Sequence, residues 1–180
     1  MNLSAALAKA RHARAVERRA YAIHEAGHVV ADDVLGQPLP TRVTVHPAGG
    51  STCSPGPRLF DSDRDRFAAC VSLAAGYAAS RLVAGVPEDR ARAEAAADFA
   101  QLRRFAAAMV GAGNEATVEA EALREAEALV RANGKAIERF ARVLDGAGMI
   151  EGGRRVEAVL RWAKGEAPPP KEFVGLTLRP

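Results

Sequence analysis

The chain has 180 residues, 48% of them hydrophobic, enough for one sizeable core and too few for two domains of ordinary size. Lys and Arg number 25 against 22 Asp and Glu, a formal net charge of +3 with the signs interspersed, and the one Trp, two Tyr and six Phe make no stacking pattern among the cations, which argues against a nucleic-acid partner. Cys53 and Cys70 form neither a C-x-x-C pair nor a disulfide framework, and neither a run of about 18 apolar residues nor the apolar stretch of a secretory signal occurs; the expectations are reduced thiols, no membrane span, no export and a cytoplasmic location.

A single domain is expected, mainly α-helical with one small strand region. Residues 1–13 read as a basic N-terminal arm. From about Ala13 to Leu35, Val16, Ala20, Ile23, Gly27, Val30 and Val34 recur at intervals of three and four, the mark of a long amphipathic helix that Gly36 and Pro38 stop. Thr41 to His46 alternates polar and β-branched residues and predicts a short strand ending at Pro47 and the Gly49-Gly50 turn, followed by an irregular stretch from Ser51 to Phe60. Ser62 and Asp65 form a capping-box arrangement opening a second helix that runs to Leu82. Further helices are expected over roughly Ala93 to Val110, Thr117 to Ala132, Lys135 to Leu144 and Gly153 to Trp162. The tail over residues 165–180, with Pro168-Pro-Pro170, is expected to be mobile.

His24-Glu25-Ala26-Gly27-His28 is an H-E-x-x-H motif inside the first helix. At about 100° per residue, positions four apart return to nearly the same face one turn along, so both imidazoles reach one metal ion. Glu25 projects to the flank of that pair, a place suited to a general base acting on water. The competing reading is two core histidines with satisfied ring nitrogens, because the helix is otherwise apolar on that side. A catalytic zinc site has three protein ligands and an open position. The metzincin third His is absent, since Ala31 stands where its Gly would be and Val34 where its His would be. Beyond this helix the nearest acids are Asp61, Asp63 and Asp65 at a helix start, and spacing alone does not choose among acids. Asp32, four after His28, either orients an imidazole or, more simply, is a solvated helix-end carboxylate. Cys53 is an ordinary loop cysteine or, alternatively, a thiolate for the open metal position. His12 and His46 read as surface residues and Trp162 as a core contact.

Several segments together resemble the FtsH family of membrane-anchored AAA zinc proteases. Tyr21-Ala-Ile-His-Glu-Ala-Gly-His-Val-Val30 resembles its zinc helix, whose motif is HEAGH, and Val43-Thr-Val-His-Pro-Ala-Gly-Gly50 its following strand and turn. Leu73-Ala-Ala-Gly-Tyr-Ala-Ala79 with Leu82-Val-Ala-Gly85 is similar to its Gly-Arg-Ala-Ala helix, and Glu121 to Leu144 to its last helical pair. Glu94-Ala-Ala-Ala-Asp98 resembles the segment that carries the family's third zinc ligand, which implies that role for Asp98. The resemblance covers about Val16 to Leu160. Departures accompany it: Tyr77 replaces the family's Arg, Ser80-Arg81 its acidic pair, and Ala97 the Asn before the ligand, removing a hydrogen bond behind the metal. Ser51-Thr-Cys-Ser-Pro-Gly-Pro57 replaces the edge on which peptides pair, and Pro lacks the donor that strand addition needs.

What this implies is a zinc endopeptidase in which His24, His28 and Asp98 hold Zn2+ and Glu25 is the catalytic base, acting on unfolded or flexible polypeptides. With no G-x-x-x-x-G-K-[ST] phosphate loop in the sequence, ATP-driven unfolding is not expected of it. The resemblance also implies a homo-oligomer, a hexamer by analogy. The alternative is a catalytically silent, zinc-stabilised interaction protein that docks with a partner such as a full-length AAA protease.

Overall fold

The apolar spacing around His24 builds a helix longer than its punctuation suggests. In the computed structural model, which describes residues 3–46, 49–53 and 60–177, α1 spans Leu3–Val34 and absorbs most of the stretch expected as an arm. Ala, Lys and Arg, the residues that dominate that stretch, are strong helix formers, and helix propagates readily from a packed segment that has already nucleated. Residues 7–17 are exposed, His12 among them, whereas 22–32 are almost wholly buried.

Strand β1, Arg42–His46, falls where alternation places it, and Val43 and Val45 face the core. Two partners were not anticipated. Gly49–Cys53, within the stretch expected to be partly irregular, is β2, and Met149–Glu151 is β3; both pair antiparallel with β1 in the order β2-β1-β3. Ile150 stands opposite Val43 and is fully buried, so a three-residue strand is held by its packing rather than by length. Pro47 and Ser54 to Pro57 lie outside the described residues.

Helix α2, Asp63–Leu82, begins as its capping box predicts: the Ser62 hydroxyl oxygen accepts from the Asp65 backbone N–H at 3.2 Å. The helix expected from Ala93 to Val110 is two helices, α3 (Glu88–Glu94) and α4 (Ala96–Val110), separated at Ala95, whose φ of −88° and ψ of 14° leave the α region. The reverse holds for the last helical pair, which is one helix, α5, Glu115–Ala147. Asn133-Gly134 does not interrupt it, because Val118, Ala122, Ala126, Val130, Ile137, Phe140 and Leu144 keep one buried stripe in phase throughout, and the Asn133 amide donates to its own helix at the Leu129 carbonyl.

Helix α6, Gly153–Lys164, ends at Gly165 in the left-handed conformation (φ +83°). Beyond Gly165 the chain turns back to α5. A 3-10 turn at Lys171–Phe173 leads into α7, Val174–Thr177, where Phe173 packs on the core and Leu176 lies so close to Gly146 that a Cβ there would sit 2.6 Å from its Cδ2. The absence of a side chain on α5 at residue 146 is therefore what seats the tail. A single apolar cluster of α1, β1, α2, α3, α4, α5, β3 and α6 residues forms the core, with Phe140, Leu102, Ile137, Leu144, Ile150 and Leu160 fully buried and Trp162 packed against it. The protein is thus mainly α-helical with a small antiparallel sheet beside α1. No helix among the described residues is long and apolar enough to cross a membrane.

Candidate metal centre

Two helices meet here at unusually short range because small residues face one another. On α1, Gly27 lies against α2 so tightly that a Cβ would be 2.7 Å from the Ala75 carbonyl oxygen and 2.8 Å from the Ala79 Cβ. On α2, Gly76 faces the motif histidines: its Cβ would fall 2.7 Å from His24 Nε2 and closer still to His28 Nε2. Both imidazoles are buried, 9% and 8% exposed, with ring centroids 4.8 Å apart and planes at 78°. Nothing in the spacing around Gly76 signals its role at the imidazoles, which arises only where the two helices cross.

The second nitrogens are tied to α2. His28 Nδ1 lies 2.8 Å from the Ser72 carbonyl oxygen, which only accepts, so Nδ1 carries a proton and the neutral ring presents Nε2 as a bare lone pair. His24 Nδ1 lies 3.2 Å from the Ser80 hydroxyl. The Ser80 hydroxyl thus lies at the second nitrogen of this ring. The two Nε2 atoms are 3.1 Å apart, and Asp98, from the first turn of α4, brings Oδ2 to 3.1 Å from His24 Nε2 and 3.6 Å from His28 Nε2. Asp98 is the most open of the three, with a side chain 25% exposed.

Asp32 is not a solvated helix-end group. It is 1% exposed and accepts from the Ser72 hydroxyl at 2.6 Å, so it acts on the residue whose carbonyl holds His28. Glu25 is 4% exposed. Burial opposes a charged His28, but the hydrogen bond and charge of Asp98, followed by the charge of Glu25 and the bond to Ser72, outweigh it and raise that imidazole to a pKa of about 9. Burial likewise opposes a charged Asp98, and the two histidines outweigh it and hold the carboxyl well below the usual carboxylate range.

Three ligand atoms of His24, His28 and Asp98 lie within 4.8 Å of one another. Two imidazole nitrogens and a carboxylate oxygen at this spacing repel unless a proton or cation lies among them, and neutral His, carboxylate and a missing Cβ are the donor set and the space that a borderline-soft divalent ion such as zinc takes. The residues present fit the metal that the motif implies. Cys53 lies in β2 with its side chain outside the described residues, while Cys70 is a buried free thiol whose pKa burial raises to about 11. His46 and His12 are exposed, as expected. No protein-family model and no curated protein matches this chain.

Proposed function

We propose that this chain is a zinc-dependent endopeptidase of the FtsH type acting on unfolded or flexible polypeptides, with His24, His28 and Asp98 as metal ligands and Glu25 as general base. The observation that carries the reading is the convergence of His24 Nε2, His28 Nε2 and an Asp98 oxygen on the bare face of Gly76, with Glu25 beside them on the same helix. When bound, zinc supplies Lewis-acid polarisation of a peptide carbonyl and makes water a nucleophile at neutral pH.

The chain's own residues supply the rest. The Nδ1–H bond from His28 to Ser72 holds the tautomer whose Nε2 is available, and Ser72 is steadied in turn by Asp32. Glu25 takes a proton from the attacking water at a carboxylate oxygen and delivers it to the leaving amine. The low exposure of all three motif residues keeps competing water away and strengthens these charges. Entry lies on the side of Asp98, the most open ligand. The substrates proposed are segments already unfolded, with any unfolding supplied by an ATPase activity outside these 180 residues.

The burial of Glu25 favours a second reading, a zinc-stabilised interaction protein in which this carboxylate balances charge and touches no substrate. Hydrolysis of denatured casein by the zinc-loaded chain, with Glu25→Gln alongside, separates the two. Cleavage that disappears in Glu25→Gln while zinc stays bound is expected of the peptidase. Absence of cleavage by either, with stoichiometric zinc, supports the interaction protein.

A further inference from the structure

Asp98 is the one ligand outside α1, and it stands three residues past the break at Ala95 that separates α3 from α4. Ala95 caps α4 without a side-chain hydrogen bond, and Ala95 itself breaks the α3–α4 run, so rotation at this junction swings the carboxylate relative to the imidazoles. Burial of Ala91, Ala95 and Phe99 seats the junction in the core, and a directional polar restraint on it comes from α5. Glu119 is 8% exposed and accepts hydrogen bonds from Arg92 of α3 and, at 2.8 Å, from Arg103 of α4. One carboxylate thus spans both sides of the break. The Arg92 guanidinium also lies 4.4 Å over the ring of Phe99, the neighbour of Asp98, and that ring makes an edge contact at 5.3 Å with Tyr77, the neighbour of Gly76.

We infer that Glu119 is a positioning residue of the metal centre: by clamping Arg92 and Arg103 it sets the α3–α4 junction and so the reach of Asp98 to His24 and His28. The inference rests on the metal-centre reading proposed above. A bidentate carboxylate held by two guanidiniums has a defined direction, which a single apolar contact lacks. Burial of Glu119 works against its charge, and the two arginines outweigh it and lower its pKa, so the clamp stays ionised at neutral pH. Arg92 and Arg103 are 44% and 54% exposed at their side chains, so both are hydrated when the clamp is removed and the fold survives.

The test is zinc affinity, by chelator competition, of the full chain, Glu119→Ala, Asp98→Ala and the double variant, with Glu119→Gln repeated in both backgrounds as the gentler change. Glu119→Ala is expected to weaken zinc about tenfold, the lower end for residues supporting a ligand, and by less than about twofold when Asp98 is already alanine. The cobalt-loaded Glu119 variants are expected to show shifted visible absorption, since the ligand geometry changes. An equal loss in both backgrounds, or no loss with an unshifted cobalt spectrum, overturns the positioning role. If the parent chain binds no zinc, or Asp98→Ala leaves affinity unchanged, the metal-centre reading fails and the clamp with it; if only the Glu119 variants are silent, the clamp fails alone.

Discussion

Replacing Gly76 by alanine adds one methyl group at the point where both imidazoles arrive. Its Cβ would lie 2.7 Å from His24 Nε2, short by 0.7 Å (3.4 − 2.7) of the 3.4 Å at which ordinary contact begins, and the overlap with His28 Nε2 is larger. The rings have little room to retreat, because Ser80 and Ser72 hold their other nitrogens. Overpacking of this kind costs about 1–3 kcal/mol, offset by about 1 kcal/mol of helix propensity, so the fold should lose no more than about 2 kcal/mol. Metal affinity should suffer far more. A displacement near 1 Å exceeds the ~0.5 Å tolerance of a preorganised site and costs on the order of a hundredfold. Gly134→Ala in α5 is the internal control, since nothing lies within 4 Å of its Cβ, and it should gain roughly 0.5–1 kcal/mol with zinc binding unchanged. Zinc titration against a competing chelator and thermal unfolding with the metal removed report the two effects separately. Zinc held by Gly76→Ala within threefold of the parent would refute the placement of the metal against α2.

Asp98→Ala should release zinc much more readily than Glu94→Ala, whose carboxylate is committed to Arg90 at 2.7 Å; equal retention by chelator competition would sink the ligand assignment. Without metal, the raised pKa of His28 contributes stability that is complete below the ordinary imidazole value of 6.5 and is lost as pH climbs to about 9, and the lowered pKa of Asp98 contributes stability present above 3.8 and lost in acid. The chelated protein should therefore lose Tm between pH 6.5 and 9, whereas zinc affinity rises over that interval because the metal displaces the His28 proton. A Tm that climbs over that range in chelator contradicts the pairing. Gly27→Ala should force α1 from α2 and destabilise by about 1–3 kcal/mol in denaturant unfolding, because the atoms it meets are backbone and a methyl group rather than a yielding side-chain tip. Removing residues after Gly165 should cost about 1–3 kcal/mol through lost Phe173 and Leu176 packing, and no change in the unfolding midpoint would mean that the tail adds nothing.

Legibility differed by element for physical reasons. The helix carrying H-E-x-x-H, β1, the Ser62 cap and α6 rest on short-range signals, a period, an alternation or a capping pair, and all lie where those signals place them. The α3–α4 break lies in Ala93–Ala97, where apart from Glu94 every residue is alanine and no punctuation exists; packing against α5 and the Glu119 clamp accompany it instead. Gly134 misled in the opposite direction, because one glycine costs about 1 kcal/mol and the buried stripe on either side outweighs it. β3 is too short to announce itself, and the tail docks through an absent side chain at Gly146, a feature that has no signature in the tail itself.

The sequence by itself determined that two imidazoles share a helix face with a carboxylate next to them, since a four-residue spacing on an α-helix leaves no other arrangement. Spacing did not decide which acid joins them, and Asp98 was named by resemblance alone: it is 74 residues from His24 in the chain and arrives only through the packing of α4 against α2. Nor did it reveal that Ser72 and Ser80 take the second nitrogens, that Asp32 is buried behind Ser72, or that Gly76 leaves the space between the rings. Those are properties of a helix crossing, and a crossing is set by the summed contacts of residues far apart in the chain, which no local spacing encodes.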